Sequence, residues 1–234
     1  LLLVLTGTEG WTPFLVGAAF IALAAVPLTW TGASAPILEG KASFSVARFM
    51  TIAPTLAGAV LVFAILETTF FALMPVYAVR SGVPVMGAVI MLAVLTLGNA
   101  LAQLPIGWAA DKWNRQAVMI FCALVAFVGA ILLPLLIGQG VALWIMLFLW
   151  GGLFPGIYTV AMTILGQRFR GDDLITANAA FGVLWGIGSL AGPALGGVAM
   201  DIWDPEGLPV TLAVASAAFL ALAIVRGMAR RRRY

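Results

Sequence analysis

The sequence predicts an all-α membrane protein with seven transmembrane helices, on three observations. Of 234 residues, 63% are apolar and 9% charged, where an average soluble domain has roughly 45–50% and about 25%. Mean hydropathy is +1.13, so no charged skin is available to face water and the solvent is lipid. The apolar stretches reach the ~20 residues that cross a bilayer's hydrocarbon core. Lys and Arg fall on alternate sides of those stretches, eleven against one, the asymmetry expected of cytoplasmic loops. Helices are expected over barrel strands because a lipid-exposed backbone must satisfy its hydrogen bonds within the segment, and barrel strands would be about half as long and alternating.

The expected spans lie at 11–31, 54–79, 84–109, 115–137, 141–165, 174–200 and 208–227. Residues 1–5 are an apolar run without an initiator Met or a basic flank, too short for a signal peptide. They read as the last turn of an earlier helix, so the chain is expected to be the C-terminal part of a longer protein. Residues 32–53 form the one connection long enough for structure of its own, and Val46, Phe49, Met50 and Ala53 recur at helical spacing, predicting a short helix on the membrane face. The basic side holds Lys41, Arg48, Lys112, Arg115, Arg168, Arg170, Arg226 and Arg230 to Arg233; Arg80 is on the other side with Glu9, Asp201, Asp204 and Glu206. This predicts a cytoplasmic C-terminus. The basic tail 228–234 reads as a topology anchor, with anionic lipid binding as a second reading.

His is absent and Cys122 is the lone cysteine, which removes imidazole chemistry, disulfide frameworks and zinc sites. No enzyme activity, catalytic residue, cofactor, metal or nucleic-acid partner is expected. Glu67 is the one ionisable residue deep inside a span. A charge there costs about 2.5–3.5 kcal/mol on insertion scales, so the carboxyl should face a cavity or a partner. It could take up and release a proton, or hydrogen-bond a neighbouring helix as a neutral acid.

Other polar groups in the spans are sparse. Asn99 and Gln103 stand one turn apart and continue toward Gly107 and Asp111, so they could line a cavity or join helices. Gly151, Gly152, Pro155 and Gly156 predict a break beside Tyr158 and Thr159, and broken helices near the midplane are where transporters often hold substrate. In 174–200, Gly182, Gly186, Ser189, Pro193 and Gly196 make one row of small residues, and Gly188, Gly192 and Gly196 a second. Such rows let helices approach closely.

The stretch Gly107-Trp108-Ala109-Ala110-Asp111-Lys112-Trp113-Asn114-Arg115-Gln116 resembles motif A of the major facilitator superfamily: Gly, three residues, Asp, a basic residue, any residue, Gly and two basic residues. Gly107 would let a neighbouring backbone approach, Asp111 would serve as a counter-charge at a helix N-terminus, and Lys112 and Arg115 would anchor the loop. Asn114 replaces the second Gly, tolerable because Asn reaches left-handed backbone conformations, and Gln116 replaces the last basic residue. A two-charge loop obeying topology alone explains the same residues. Gly166-Gln167-Arg168-Phe169-Arg170-Gly171-Asp172-Asp173, the following Ala177-Asn178-Ala179-Ala180-Phe181, and Glu67-Thr68 ahead of Pro75-Val76-Tyr77 look like the family's YcaD-like bacterial subgroup. Gly192-Pro193-Ala194-Leu195-Gly196-Gly197 resembles the Gly-Pro motif of the family's drug antiporters; plain helix packing is the alternative.

The resemblance implies a fold of one extra helix plus the family's C-terminal six-helix bundle. The motif would be the second copy, between helices eight and nine, so the spans match helices six to twelve. Residues 1–31 would be the end of helix five and helix six, 32–53 a short cytoplasmic linker between halves, and 54–227 the bundle. Asp111 would pair with the N-terminus of helix five, in a missing N-terminal half. Helices seven and ten would face the cavity, favouring Glu67 and Tyr158 over Asn178. The implied function is secondary transport of a small solute by alternating access, coupled to protons, in a bacterial inner membrane. The fragment alone is expected not to transport. The rival readings are a seven-helix receptor, whose topology the chain superficially imitates, and a drug-efflux antiporter.

Overall fold

A computed structural model describes residues 44–231 and a few isolated helical positions between 15 and 26. The chain clusters into two units, Leu1–Glu39 and Gly40–Tyr234, and the helices below belong to the second. The expected span at 11–31, residues 1–5, Lys41 and the side chains of Arg230 to Arg233 lie outside the described residues.

Helix α1 (Val46–Ile52) is the short helix expected in the connection. Ser45 caps it, its hydroxyl accepting from the Arg48 N–H at 3.2 Å. Phe49 is fully buried and packs on Phe169 and Phe181, with ring centroids 5.9 and 6.1 Å away. Met50 is instead exposed, because one residue turns a helix by about 100° and carries it off the face that Phe49 buries.

Six apolar segments long enough to cross a membrane follow among the described residues. They are α2 (Pro54–Arg80), α3 (Val85–Lys112), α4 (Arg115–Leu136), the broken pair α5 (Val141–Leu153) and α6 (Gly156–Arg168), α7 (Asp172–Ile202) and α8 (Gly207–Arg231). Each stands where an apolar stretch predicts it. Pro54 starts α2 at a position where its missing N–H costs nothing. The predicted break between α5 and α6 falls at Phe154-Pro155. Asp172 and Asp173 occupy the first turn of α7, where the helix dipole favours acids.

The most extensive contacts join α2 to α7, α3 to α5 and α4 to α8. If the first three spans are exchanged with the last three, α2–α7 becomes α5–α3 and α4–α8 maps onto itself. This is the contact pattern of two inverted three-helix repeats. Glycine makes both close pairs possible. A Cβ at Gly188 would stand 2.6 Å from Leu61 O, and one at Gly192 would stand 2.5 Å from Thr69 Oγ1 and 2.7 Å from Ile65 O, so α7 rests directly on the α2 backbone. In the equivalent pair, a Cβ at Gly98 would strike Phe148 O, and one at Gly151 would stand 2.5 Å from Leu95 O.

This corrects the reading of the two small-residue rows. Gly188, Gly192 and Gly196 carry the helix packing, whereas nothing among the described residues comes within 4 Å of a Cβ at Gly182 or Gly186. Both rows recur at helical spacing; which one meets a neighbour depends on how α7 is rotated against α2.

The ends of the spans alternate as the charges predict. Arg80 Nη1 lies 2.8 Å from Asp204 Oδ1, tying the end of α2 to the α7–α8 turn. At the opposite end Arg115 hydrogen-bonds Gln167, and Arg168 Nη2 donates to Ile52 O at 2.8 Å. Trp150, deep in the bundle, places its ring against Gly129 and donates from Nε1 to Ala126 O at 3.2 Å.

Candidate functional site

Glu67 stands near the middle of α2, half-buried, on a narrow crevice lined by Phe70, Phe71, Leu95, Thr96, Asn99, Gly151 and Phe154. The crevice exists because Gly98 and Gly151 draw α3 and α5 together beside it. Two of the sequence-predicted residues, Glu67 and Asn99, therefore share one space. Gln103 Nε2 donates to Asn99 Oδ1 at 3.2 Å, which occupies the Asn99 carbonyl and keeps its NH2 group as a donor. Gln103 itself is exposed, one turn farther along α3.

The Trp185 indole on α7 lies close to the Glu67 carboxyl on α2. Trp185 also lines a second cavity, of about 270 Å³, with Tyr158, Met162, Asn178, Phe181 and Gly182. The two spaces are joined by rings: Phe63, one turn before Glu67, stacks on Tyr158 with centroids 4.9 Å apart, and Tyr158 lies 6.0 Å from Phe181. Glu67, Asn99, Tyr158 and Trp185 thus form a run of polar tips among aromatic faces, from α2 and α3 across to α6 and α7. Such a surface can hold a small solute by stacking and a few directed hydrogen bonds, with one titratable group at its edge.

Thr159 lines neither space, and its hydroxyl donates back to Pro155 O at 3.4 Å. That hydroxyl occupies an acceptor at the break between α5 and α6. Asn178, ranked below Tyr158 from the sequence, stands beside it in the second cavity. Trp185 was missed. Its signal is the row Asn178, Gly182, Trp185 at steps of four and three, which puts an amide and an indole on the face where Gly182 leaves room.

At the basic end, Asp111 and Arg115 form an ion pair at 3.3 Å across one helical turn's spacing, and Arg115 also holds Gln167 at the end of α6. Lys112 turns to the Trp108 ring instead, its Nζ 4.9 Å from the centroid. Asn114 corrects the expectation of a left-handed residue. Its φ is −65°, and its side chain caps α4 by accepting from the Ala117 N–H at 3.2 Å, because Asn can supply the acceptor that Gly lacks. Nothing among the described residues lies within 4 Å of a Cβ at Gly107, so no neighbouring backbone uses that glycine here. No cluster of metal-ligating side chains occurs among the described residues.

A family model of the Major Facilitator Superfamily matches residues 56–233. Among curated relatives, the chain is 27% identical over 148 residues to an uncharacterized MFS-type transporter YfkF of Bacillus subtilis, covering 61% of this chain and 36% of that protein. It is 25% identical over 206 residues to an uncharacterized MFS-type transporter YcaD of Escherichia fergusonii, covering 87% and 53%. To YcaD of Shigella flexneri it is 28% identical over 154 residues, covering 66% and 39%. The chain spans about half the length, or less, of these relatives.

Proposed function

The chain belongs to the major facilitator superfamily, and from that premise we propose that it serves secondary transport of a small solute by alternating access, driven by protons through Glu67. One observation carries the reading: the carboxyl at mid-span opens onto a crevice shared with Asn99 and lies near Trp185, which lines the next cavity. A carboxyl so placed is reached by protons, and a change in its charge alters what the adjacent aromatic surface holds. Asn99, Tyr158 and Trp185 would contact the solute. Gln103 would orient Asn99, and Thr159 would shape the break that places Tyr158.

The family match and the inverted-repeat contacts favour a transporter over a seven-helix receptor. In this reading α2 to α8 form the second six-helix bundle, and a first bundle closes the cavity from the side of Glu67 and Tyr158. The Asp111–Arg115–Gln167 linkage would brace the cytoplasmic end in one of the two transport states. The eleven-to-one charge asymmetry supports a cytoplasmic C-terminus, and the bacterial relatives support an inner-membrane location. Gly192-Pro193 is engaged with α2, which supports a packing role over one in drug antiport.

The test is Glu67→Gln in the intact transporter, reconstituted in liposomes with an imposed pH gradient. Proton-driven solute movement should be lost while the folded, monodisperse protein is retained. Wild-type rates with wild-type pH dependence would refute proton coupling through Glu67.

A further inference from the structure

Helix α1 has seven residues, and helices this short are marginal on their own, so its place depends on its contacts with the bundle. Arg168 Nη2 donates to Ile52 O, at the end of α1, at 2.8 Å. Phe49, fully buried, enters a cluster of rings. It stacks on Phe44 with centroids 6.2 Å apart and planes at 12°, tilts against Phe169 at 5.9 Å, and meets Phe181 edge-on at 6.1 Å and 84°. The Arg168 guanidinium lies over the Phe169 ring, 5.6 Å from its centroid, so the polar and the aromatic contact of α1 brace each other.

The last ring of this cluster is also a wall of the second cavity. Phe181 lines that cavity with Tyr158, and the two centroids are 6.0 Å apart. Phe181 is therefore in ring contact with α1 on one hand and with the cavity's tyrosine on the other, at separations where aromatic pairs interact. In a close-packed interior a ring whose support is removed moves into the space left behind. We propose that α1 sets the shape of the second cavity: Phe49 is a positioning residue that holds Phe181 in place, and a shift of α1 passes through Phe181 to Tyr158. The functional meaning rests on the reading of this cavity as a solute site. In that reading α1 also stands in the connection between the two bundles, so their rocking bears on α1 and, through Phe49, on the cavity wall.

The experiment places 3-fluorotyrosine at the chain's three tyrosines, Tyr77, Tyr158 and Tyr234, and records fluorine NMR spectra of the full chain in detergent, with Tyr158→Phe assigning the cavity signal. Tyr77 stands at the opposite end of α2, roughly 35 Å along the helix from its start, and reports any general loosening. Phe49→Ala should move the Tyr158 signal by more than its linewidth and leave Tyr77 in place. In a Phe181→Leu chain the same substitution should no longer move Tyr158, because the coupling of two positions through a third is lost with the third. Ser45→Ala removes the cap of α1 and leaves every ring in place; it should move Tyr158 in the same direction, and serves if Phe49→Ala does not fold. A Tyr158 signal that stays in place, a Tyr77 signal that moves with it, or a shift that persists without Phe181 would overturn the proposal. None of these spectra depends on transport, so their failure leaves proton coupling through Glu67 standing, and wild-type behaviour of Glu67→Gln leaves the path from α1 to the cavity standing.

Discussion

Alanine at Gly192 separates the two faces of α7 with a single methyl group. Its Cβ would stand 2.5 Å from Thr69 Oγ1 and 2.7 Å from Ile65 O, where unstrained contacts need about 3.5 Å or more. Ile65 O is main chain and Thr69 is fully buried, so no exposed side chain can swing away and the two helices must part. Overpacking of this kind costs about 1–3 kcal/mol. Replacing Gly by Ala inside a helix recovers about 0.5–1 kcal/mol. The net expectation for Gly192→Ala is a loss of up to about 2.5 kcal/mol, which lowers the Tm of a chain this size by up to about 10 °C. Gly186→Ala meets no atom within 4 Å among the described residues, so only the helix-propensity gain of about 0.5–1 kcal/mol remains and Tm should rise by about 1–4 °C. Thermal unfolding of both variants in detergent, followed by tryptophan fluorescence, gives the comparison. Equal shifts, or a stabilised Gly192→Ala, would refute the close approach of α7 to α2.

Asn114→Ala should cost about 1 kcal/mol by uncapping α4, while Asn114→Gly should cost only a few tenths; thermal unfolding of the two variants ranks them, and a more stable Ala variant would contradict the cap. Trp150→Phe removes the donor to Ala126 O and keeps most of the ring, so a loss of about 0.5–1.5 kcal/mol is expected from the hydrogen bond alone. A loss well beyond that, measured by denaturant titration, would mean that the Gly129–Trp150 packing carries the difference.

The positions of the six described spans were legible because each depends on local quantities: apolar length, flanking charge and turn residues. The break at Phe154-Pro155 was legible for the same reason, since Pro removes a donor and Gly weakens the ladder wherever they stand. The site was legible in part. Glu67 announced itself by the cost of a carboxyl at mid-span, and Asn99 by its place on the same polar stripe as Gln103. Trp185 was hidden because an aromatic residue in an apolar helix reads as packing until its neighbours are known.

The sequence by itself determined the solvent, the span boundaries, the sidedness of the charges and the presence of one costly acid. Each follows from transfer energies that a residue carries with it. Only the tertiary structure decided which glycine row packs, that Asn114 caps where a left-handed turn was expected, and that Glu67 shares a crevice with Asn99 and lies near Trp185. Those depend on the rotation of each helix about its axis, and in lipid that rotation is set by packing and by interhelical hydrogen bonds, because the bilayer is as apolar as the side chains and gives hydrophobic burial no preferred face.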